Sequence, residues 1–168
     1  MHKASFFPLL LLMAALCACT VSSAGVGVGR GSGVAMISVY NDFLYSGPSK
    51  AYQNNREGLR QFKAGKYTDA ANTFQRTLDS YPGNPDASYF LGLSLIGMGD
   101  REQGFDTLVR FRDPWRYRVA GEITWWAGYL RKRPHLTDQE IFNTMKRIRG
   151  EAYNQYLMES RDSLLWFR

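Results

Sequence analysis

Residues that could carry covalent or acid–base chemistry are scarce in this chain of 168 residues. Cys17 and Cys19 are its two cysteines, and its two histidines are His2, next to the N-terminus, and His135. Asp138 follows His135 three residues later, but the serines and carboxylates show no spacing typical of a catalytic triad or an acid–base pair. So few ligands also exclude a metal site rich in His or Cys and a disulfide-linked scaffold. The sequence therefore predicts no enzyme, no cofactor and no metal.

The two cysteines lie at the end of a segment that is typical of a secretion signal. The basic residue Lys3 precedes an apolar run from Phe6 to Leu16. This run is shorter than the ~20 residues that a membrane-spanning helix needs, and it lies within the range of about 7 to 15 for the core of a signal peptide. We therefore expect the segment to direct export and to be absent from the mature fold.

The sequence Leu16-Cys17-Ala18-Cys19 resembles the lipobox of bacterial lipoproteins, in which an aliphatic residue and small residues precede an acylated cysteine. This resemblance implies that residues 1–18 are a signal peptide and that Cys19 receives the acyl chains, palmitate among them. Several acyl chains on one cysteine give stable attachment without a transmembrane helix. A secreted protein without lipid is the alternative.

The residue after the acceptor cysteine is Thr20. In the lipoproteins of bacteria with two membranes, a residue other than aspartate at this place implies sorting to the outer membrane. The resemblance therefore places the protein at the periplasmic face of the outer membrane, attached through its lipid anchor.

Residues 19–34 are predicted to form a flexible tether. Glycine occupies positions 25, 27, 29, 31 and 33, which removes local backbone preference. A phosphate-binding loop is not indicated, because neither a Lys-Ser or Lys-Thr pair after the glycines nor a GxGxxG pattern is present. The body of the chain, residues 35–168, begins with residues 35–45, whose apolar side chains are spaced roughly as in a short helix.

The body repeats itself at a fixed offset, with small residues falling on small ones and apolar residues on apolar ones. The aligned pairs are Gly58 and Gly92, Gly65 and Gly99, Ala70 and Gly104, and Phe74 and Leu108. A period of 34 with two helices per unit is the signature of the tetratricopeptide repeat (TPR). The pattern and its helix-start signals predict helices near 49–64, 67–80, 85–98 and 101–112.

The chain resembles the TPR family at a defined set of positions. They are Gly58, Gly65, Tyr67, Ala70, Phe74 and Pro82 in the first unit, and Leu91, Gly92 and Gly99 in the second. This resemblance implies that the glycines allow the paired helices to approach closely, while Phe74 fills the space between units. Asn54 and Ser88 depart from the family, because an aromatic residue is commonest there.

The segment after the second unit is predicted to complete the fold. A helical pattern covers Arg116 to Lys132, with Trp126 at the place of the two repeat glycines, so this third unit is degenerate. Thr137 and Glu140 form a capping-box pattern that opens a long final helix. We therefore expect an all-α fold: a short TPR-like solenoid of two clear repeats, a degenerate third and a C-terminal capping helix.

In the TPR family the first helices of the units line a concave groove. By register, this resemblance implies a peptide-binding groove made of Tyr52, Asn55, Leu59, Phe62, Tyr89, Leu93 and Ile96. Asn55 and Leu59 stand where the family's carboxylate clamp would begin, so no such clamp is expected. The apolar and aromatic character suits an amphipathic helix or an extended peptide. The alternative is that the N-terminal segment or the last helix covers the same residues.

A second candidate surface combines cationic and aromatic residues. Its members are Arg112, Trp115, Arg116, Arg118, Trp125 and Arg131. Such interleaving is typical of nucleic-acid binding, but a secretion signal argues against a nucleic-acid partner. Anionic lipid headgroups or an acidic partner fit better, and a solvated basic face is the alternative.

These features together predict an adaptor that binds a peptide or helix of an envelope protein. In anchor and repeats the chain resembles the pilotin-type lipoproteins of secretion and pilus machines. One alternative is a structural subunit of an envelope complex, which would use Trp115, Trp125 and Trp166 as its contact. Another is an accessory protein that recruits peptidoglycan or polysaccharide enzymes.

Overall fold

The computed structural model describes residues 49–165, and all of their regular secondary structure is helical. The helices are α1 (Lys50–Lys63), α2 (Tyr67–Ser80), α3 (Pro85–Gly97), α4 (Arg101–Val109), α5 (Tyr117–Arg131) and α6 (Asp138–Leu165). The all-α prediction is thus confirmed. The predicted signal peptide, the lipidation site Cys19, the tether, the helix near residues 35–45 and the contact residue Trp166 lie outside the described residues.

The first two helix pairs, α1–α2 and α3–α4, are built on the same contact. A Cβ atom added at Gly58 would lie 2.7 Å from the ring of Phe74, and one added at Gly92 would lie 2.7 Å from Cγ of Leu108. Each glycine therefore allows a large apolar side chain of the second helix to lie directly on the backbone of the first. Phe74 and Leu108 are fully buried. The two contacts are separated by one repeat period, as the sequence predicts.

The turns inside the two pairs are also equivalent. Gly65 and Gly99 have φ angles of 72° and 90°, in the left-handed region that glycine adopts without strain. In the first turn, Lys66 N donates to the carbonyl of Gln61 at 3.0 Å; in the second, Asp100 N donates to the carbonyl of Leu95 at 3.0 Å. This six-to-one bond is typical of the Schellman C-cap. Both first helices thus end by the same backbone mechanism.

Helices α5 and α6 do not continue this arrangement. Trp126 of α5 occupies the register of Gly58 and Gly92, and Phe142 of α6 occupies the register of Phe74 and Leu108. The ring of Phe142 packs against the first helix pair, with its centroid 5.1 Å from that of Phe62. Helix α6 therefore folds back towards the first helix pair.

The start of α6 is held by local and long-range hydrogen bonds. Thr137 and Glu140 form the predicted capping box: Thr137 N donates to Glu140 Oε2 at 2.8 Å, and Glu140 N donates to Thr137 Oγ1 at 3.3 Å. The bond from the Thr137 backbone lowers the pKa of Glu140. Arg101 donates to the carbonyl of Leu136 at 2.9 Å, which ties this end of α6 to the second turn.

Candidate functional site

Most residues of the predicted groove lie in the core rather than on an accessible surface. Asn55, Leu59, Tyr89, Leu93 and Ile96 are buried. The other two predicted residues, Tyr52 and Phe62, are half-buried.

Asn55 has a structural contact that the sequence did not suggest. Its Nδ2 donates to Oδ1 of Asn84 at 2.9 Å, and the same oxygen accepts the backbone N–H of Ala87 at 2.9 Å to cap α3. Asn55 therefore joins α1 to the start of α3.

Helix α6 covers the part of the groove that contains Phe62 and Tyr89. Near its start, the ring centroid of Phe142 lies 5.1 Å from Phe62 and 5.7 Å from Tyr67. Further along, Arg149 lies over the rings of Tyr89 and Phe90, with its Cζ 4.4 Å and 5.1 Å from their centroids. The alternative of a groove covered by the last helix therefore describes this part of the chain.

An ion pair in the core fixes α6 in this place. Arg149 and Asp86 are bonded through Nη2 and Oδ1, and their side chains are only 2% and 1% exposed. Asp86 lies in the first turn of α3, where the helix dipole also stabilises a carboxylate. Removing one partner of such a pair leaves a buried charge without compensation, which is strongly unfavourable. The pair therefore couples the position of α6 to that of α3.

A pocket of about 240 Å³ remains between α1, α3 and α6. Its apolar lining is Leu59, Phe62, Tyr67, Phe90, Leu93 and Phe142, and its polar lining is Lys63, Tyr89, Gln139, Asn143, Lys146 and Arg149. Burial raises the pKa of the Tyr89 hydroxyl, so this group is a neutral donor at physiological pH. The pocket thus combines aromatic walls with cationic and neutral donors.

The predicted basic-aromatic surface is divided in the structure, because most of its arginines have acidic partners. Arg118 pairs with Glu159. Arg131 pairs with Glu102 and also bonds to Asp106 at 2.7 Å.

The other two arginines of this surface also make contacts within the chain. Arg116 lies 3.6 Å from Asp113 and stacks over the rings of Tyr153 and Tyr156. Arg112 is exposed and bonds to the carbonyl of its neighbour Phe111. The surface is therefore much less cationic than the sequence suggested.

The large side chains that remain exposed on and beside this surface are mainly aromatic. Trp115 and Tyr117 are 76% and 77% exposed, and Trp125 is 61% exposed. Trp125 stacks on Tyr129 with a centroid distance of 5.3 Å and an interplanar angle of 14°. We call the outward side of α5 that carries Tyr117, Trp125 and Tyr129 the α5 face.

A shallow groove adjoins the α5 face. It is lined by Pro82, Gly83, Phe111, Arg112, Asp113, Pro114, Tyr117, Ala120, Gly121 and Thr124. A Cβ atom added at Gly121 or Gly128 would meet no atom within 4 Å, so the helix surface beside Trp125 is open. The α5 face is thus an apolar, accessible surface with room for a neighbouring backbone.

Two residues of the site, Asp86 and Arg149, were missed by the sequence reasoning. Asp86 has no signal in the sequence beyond its position in the first turn of α3. Arg149 has a weak signal in the sequence, because it follows the buried Met145 by four residues and precedes the buried Tyr153 by four. This spacing marks a second buried stripe on α6, beside the one that packs on α5.

Comparison with protein-family models, with characterised proteins and with solved structures returned no match to this chain. Among the helices of residues 49–165, none has the length and apolar character needed to cross a membrane. Within the same residues, no group of three or more His, Cys, Asp or Glu side chains is arranged to hold a metal ion.

Proposed function

We propose that this protein is a TPR-like lipoprotein, anchored to the outer membrane through Cys19, which acts as an adaptor for another protein of the cell envelope. We further propose that the contact is made by the α5 face and not by the groove. The observation that carries the proposal is the exposure of Tyr117 and Trp125 on this face.

The α5 face has the composition of a protein-binding surface. Large exposed aromatic residues grouped on one side of a helix are unusual on a monomer and are typical of interaction sites. Tyr and Trp also contribute most of the binding energy in many interfaces. Trp125 and Tyr129 are held in a fixed stack, so they lose little conformational freedom on binding.

The chemistry around the face favours a helix with aliphatic and acidic side chains as its occupant. The open backbone at Gly121 and Gly128 allows a second helix to approach closely. Arg112 and Lys132 are exposed nearby, and Glu122 is the exposed carboxylate on the same side of α5. Aliphatic side chains would fill the shallow groove, while carboxylates would face the cationic residues.

A permanent structural subunit of an envelope complex is the second candidate. The observation in its favour is that α6 already covers the groove, which leaves the aromatic surface as the main contact. The two candidates differ in behaviour after delipidation: an adaptor stays soluble and monomeric, whereas a subunit separated from its complex aggregates.

The lipid anchor is tested by metabolic labelling with an alkyne fatty acid. Cys19→Ser removes the proposed acceptor, so we expect it to abolish the label and to release the protein from the outer-membrane fraction. Cys17→Ser is the matched control and should keep both the label and the location. Loss of the label in the Cys17 variant alone would contradict the assignment of the acceptor.

The contact is tested by photo-crosslinking in cells, with the reactive residue placed at Gly121. A matched probe at Gln75, which is exposed on α2, reports random encounters. We expect the Gly121 probe to capture one envelope protein through an acidic, amphipathic helix. The corresponding peptide should bind the purified chain and bind at least tenfold more weakly to Trp125→Ser, because an aromatic anchor is lost.

Three outcomes would contradict the proposed contact. They are capture of a second copy of the chain instead of another protein, equal capture by the Gln75 probe, and peptide binding that is unchanged in Trp125→Ser. Because Trp125 is exposed, its replacement should leave the thermal unfolding midpoint unchanged, which separates a lost contact from a lost fold.

A further inference from the structure

Two connections between helices lie at the same end of the fold. One is the turn between α2 and α3, residues 81–84, and the other is the loop between α4 and α5, residues 110–116. They meet in the shallow groove beside α5, which is lined from the turn by Pro82 and Gly83 and from the loop by Phe111, Arg112, Asp113 and Pro114. The two connections therefore form one continuous surface.

The described part of the chain also starts at this end. Asn55 of α1 donates to Asn84 of the turn at 2.9 Å, and Lys50, the first residue of α1, precedes Asn55 by less than two helical turns. The proposed lipid at Cys19 is thus connected to the fold at this end, through residues 20–48. A flexible chain of that length spans on the order of 30 Å. The name anchor end is used below for residues 49–50, 81–84 and 110–116.

The anchor end presents aromatic and cationic side chains. Trp115 and Tyr81 are 76% and 38% exposed. The carboxylate of this end, Asp113, is buried, and the exposed charged side chains are the cations of Lys50, Arg110 and Arg112. Trp and Tyr are enriched where a membrane meets water, and Lys and Arg are attracted to anionic headgroups. The anchor end therefore has the chemistry of a surface that contacts lipid.

The opposite end of the fold differs in both respects. It is formed by the connections inside the helix pairs, residues 64–66, 98–100 and 132–137. These segments contain no Phe, Tyr or Trp. Their exposed charges have both signs, with Asp100 as well as Lys66 and Lys132. The combination of aromatic residues with charge of one sign thus distinguishes the end at which the proposed anchor is attached.

We propose that the anchor end rests on the phospholipid surface to which the acyl chains of Cys19 attach. Trp115 lies at the level of the headgroups, and Lys50 and Arg110 face those that are anionic. Acyl chains combined with a basic patch hold a protein on a membrane more firmly than either does alone. The inference rests on the lipid anchor of the proposed function and adds the orientation of the helical body.

This orientation is compatible with the proposed contact at the α5 face. Helix α5 starts beside the anchor end, and Trp125 lies about 12 Å further along the helix than Tyr117. The stacked rings of Trp125 and Tyr129 therefore stay accessible to a partner protein while the anchor end lies on lipid.

The orientation is tested by hydroxyl-radical footprinting of the full acylated chain in vesicles. Vesicles of phosphatidylglycerol and phosphatidylethanolamine are compared with vesicles of phosphatidylcholine, which have no net charge. We expect Trp115 to be oxidised at least tenfold more slowly in the anionic vesicles, because its ring is covered there. Met98, which is 45% exposed at the opposite end, and Trp125 should be oxidised equally in both.

A pair of substitutions tests the cations. Arg110→Gln removes one positive charge from the anchor end and should reduce the protection of Trp115 about fivefold, the effect expected for one basic residue near an anionic surface. Lys66→Gln makes the same change of charge at the opposite end and should leave the protection unchanged. Both side chains are exposed, so neither substitution should shift the thermal unfolding midpoint.

Three outcomes would overturn the proposal. They are oxidation of Trp115 that is equal in the two kinds of vesicle, equal protection of Trp115 and Met98, and full protection of Trp115 in the Arg110→Gln variant. Protection of Trp125 in place of Trp115 would put the α5 face on the lipid and would also contradict the proposed contact. The failures are distinguishable: a chain without an acyl label contradicts the anchor, whereas an acylated chain with an accessible Trp115 contradicts only the orientation.

Discussion

The first two helix pairs share a packing contact that the last pair lacks. In α1–α2 and α3–α4, Gly58 and Gly92 allow a large side chain of the second helix to rest on the backbone of the first. In the last pair the corresponding residue is Trp126, which is half-buried and contacts Trp125 and Tyr129 instead. The contact between a glycine and a large apolar side chain is thus absent from the last pair, although α5 and α6 still pack on each other.

The consequence of this difference is the position of α6. Because Phe142 has no glycine to rest on in α5, it packs against Phe62 and Tyr67, and the helix crosses the groove. The repeated pairs are held mainly by apolar contacts between neighbours. The last helix is held in addition by a buried ion pair, Arg149 with Asp86. The helix that follows the two regular pairs is therefore held over the groove by a specific polar contact, the ion pair between Arg149 and Asp86.

The largest effect that tests this comparison is expected from the buried ion pair. Arg149→Met removes the cation that compensates the buried Asp86 carboxylate, and we expect a loss of about 3–5 kcal/mol in the free energy of unfolding. Arg147→Met is the matched control, because Arg147 pairs with Glu151 on the exposed side of the same helix; it should cost less than about 0.5 kcal/mol. Urea unfolding followed by circular dichroism measures both.

A double variant tests the buried ion pair further. Asp86→Leu combined with Arg149→Met removes both charges, and its stability should return to near that of the wild type, because an apolar pair replaces a buried ionic one without loss. Equal stability of Arg149→Met and Arg147→Met would show that α6 does not occupy the groove.

Replacing glycines by alanine should change the free energy of unfolding by a smaller amount. The change should be a loss at Gly92 and a gain at Gly128. A Cβ atom at Gly92 would lie 2.7 Å from Leu108 and 3.0 Å from the carbonyl oxygen of Gly104, so Gly92→Ala should destabilise the protein by about 1–3 kcal/mol. Gly128→Ala places the same methyl group in open space and should stabilise it by about 0.5–1 kcal/mol. The measurement is again the free energy of unfolding. Equal effects at the two sites would mean that close helix approach is not what glycine provides in the repeat.

Helix positions were largely predictable because their signals are local. The predicted segments 67–80 and 85–98 agree with α2 and α3 to within one residue. The fourth helix was predicted to end at 112 but ends at Val109. Pro114 disfavours a helical conformation at Asp113. The side chain of Asp113 accepts the backbone N–H groups of Trp115 and Arg116, which stabilises a turn before α5.

The site was less predictable because its contacts join distant segments. Arg118 and Arg131 were placed on a basic surface from their own neighbourhood, while their acidic partners come from α6 and α4. Leu93 and Ile96 have the register of groove residues, but register does not show that Leu93 lies in a pocket beside α6 or that Ile96 packs on Gly104 of α4. The TPR family, the lipid anchor and the adaptor function stay predictions.

The sequence by itself determined the repeat period, the two glycine turns and the side-chain caps at the starts of α3, α4 and α6. These features depend on backbone angles and on hydrogen bonds between residues a few positions apart. A short segment can form them without contacts from the rest of the chain. Only the tertiary structure decided which helix covers the groove and which arginines remain exposed. The ion pair between Asp86 and Arg149 joins residues 63 positions apart, and such a pairing depends on how whole helices pack and not on any local pattern.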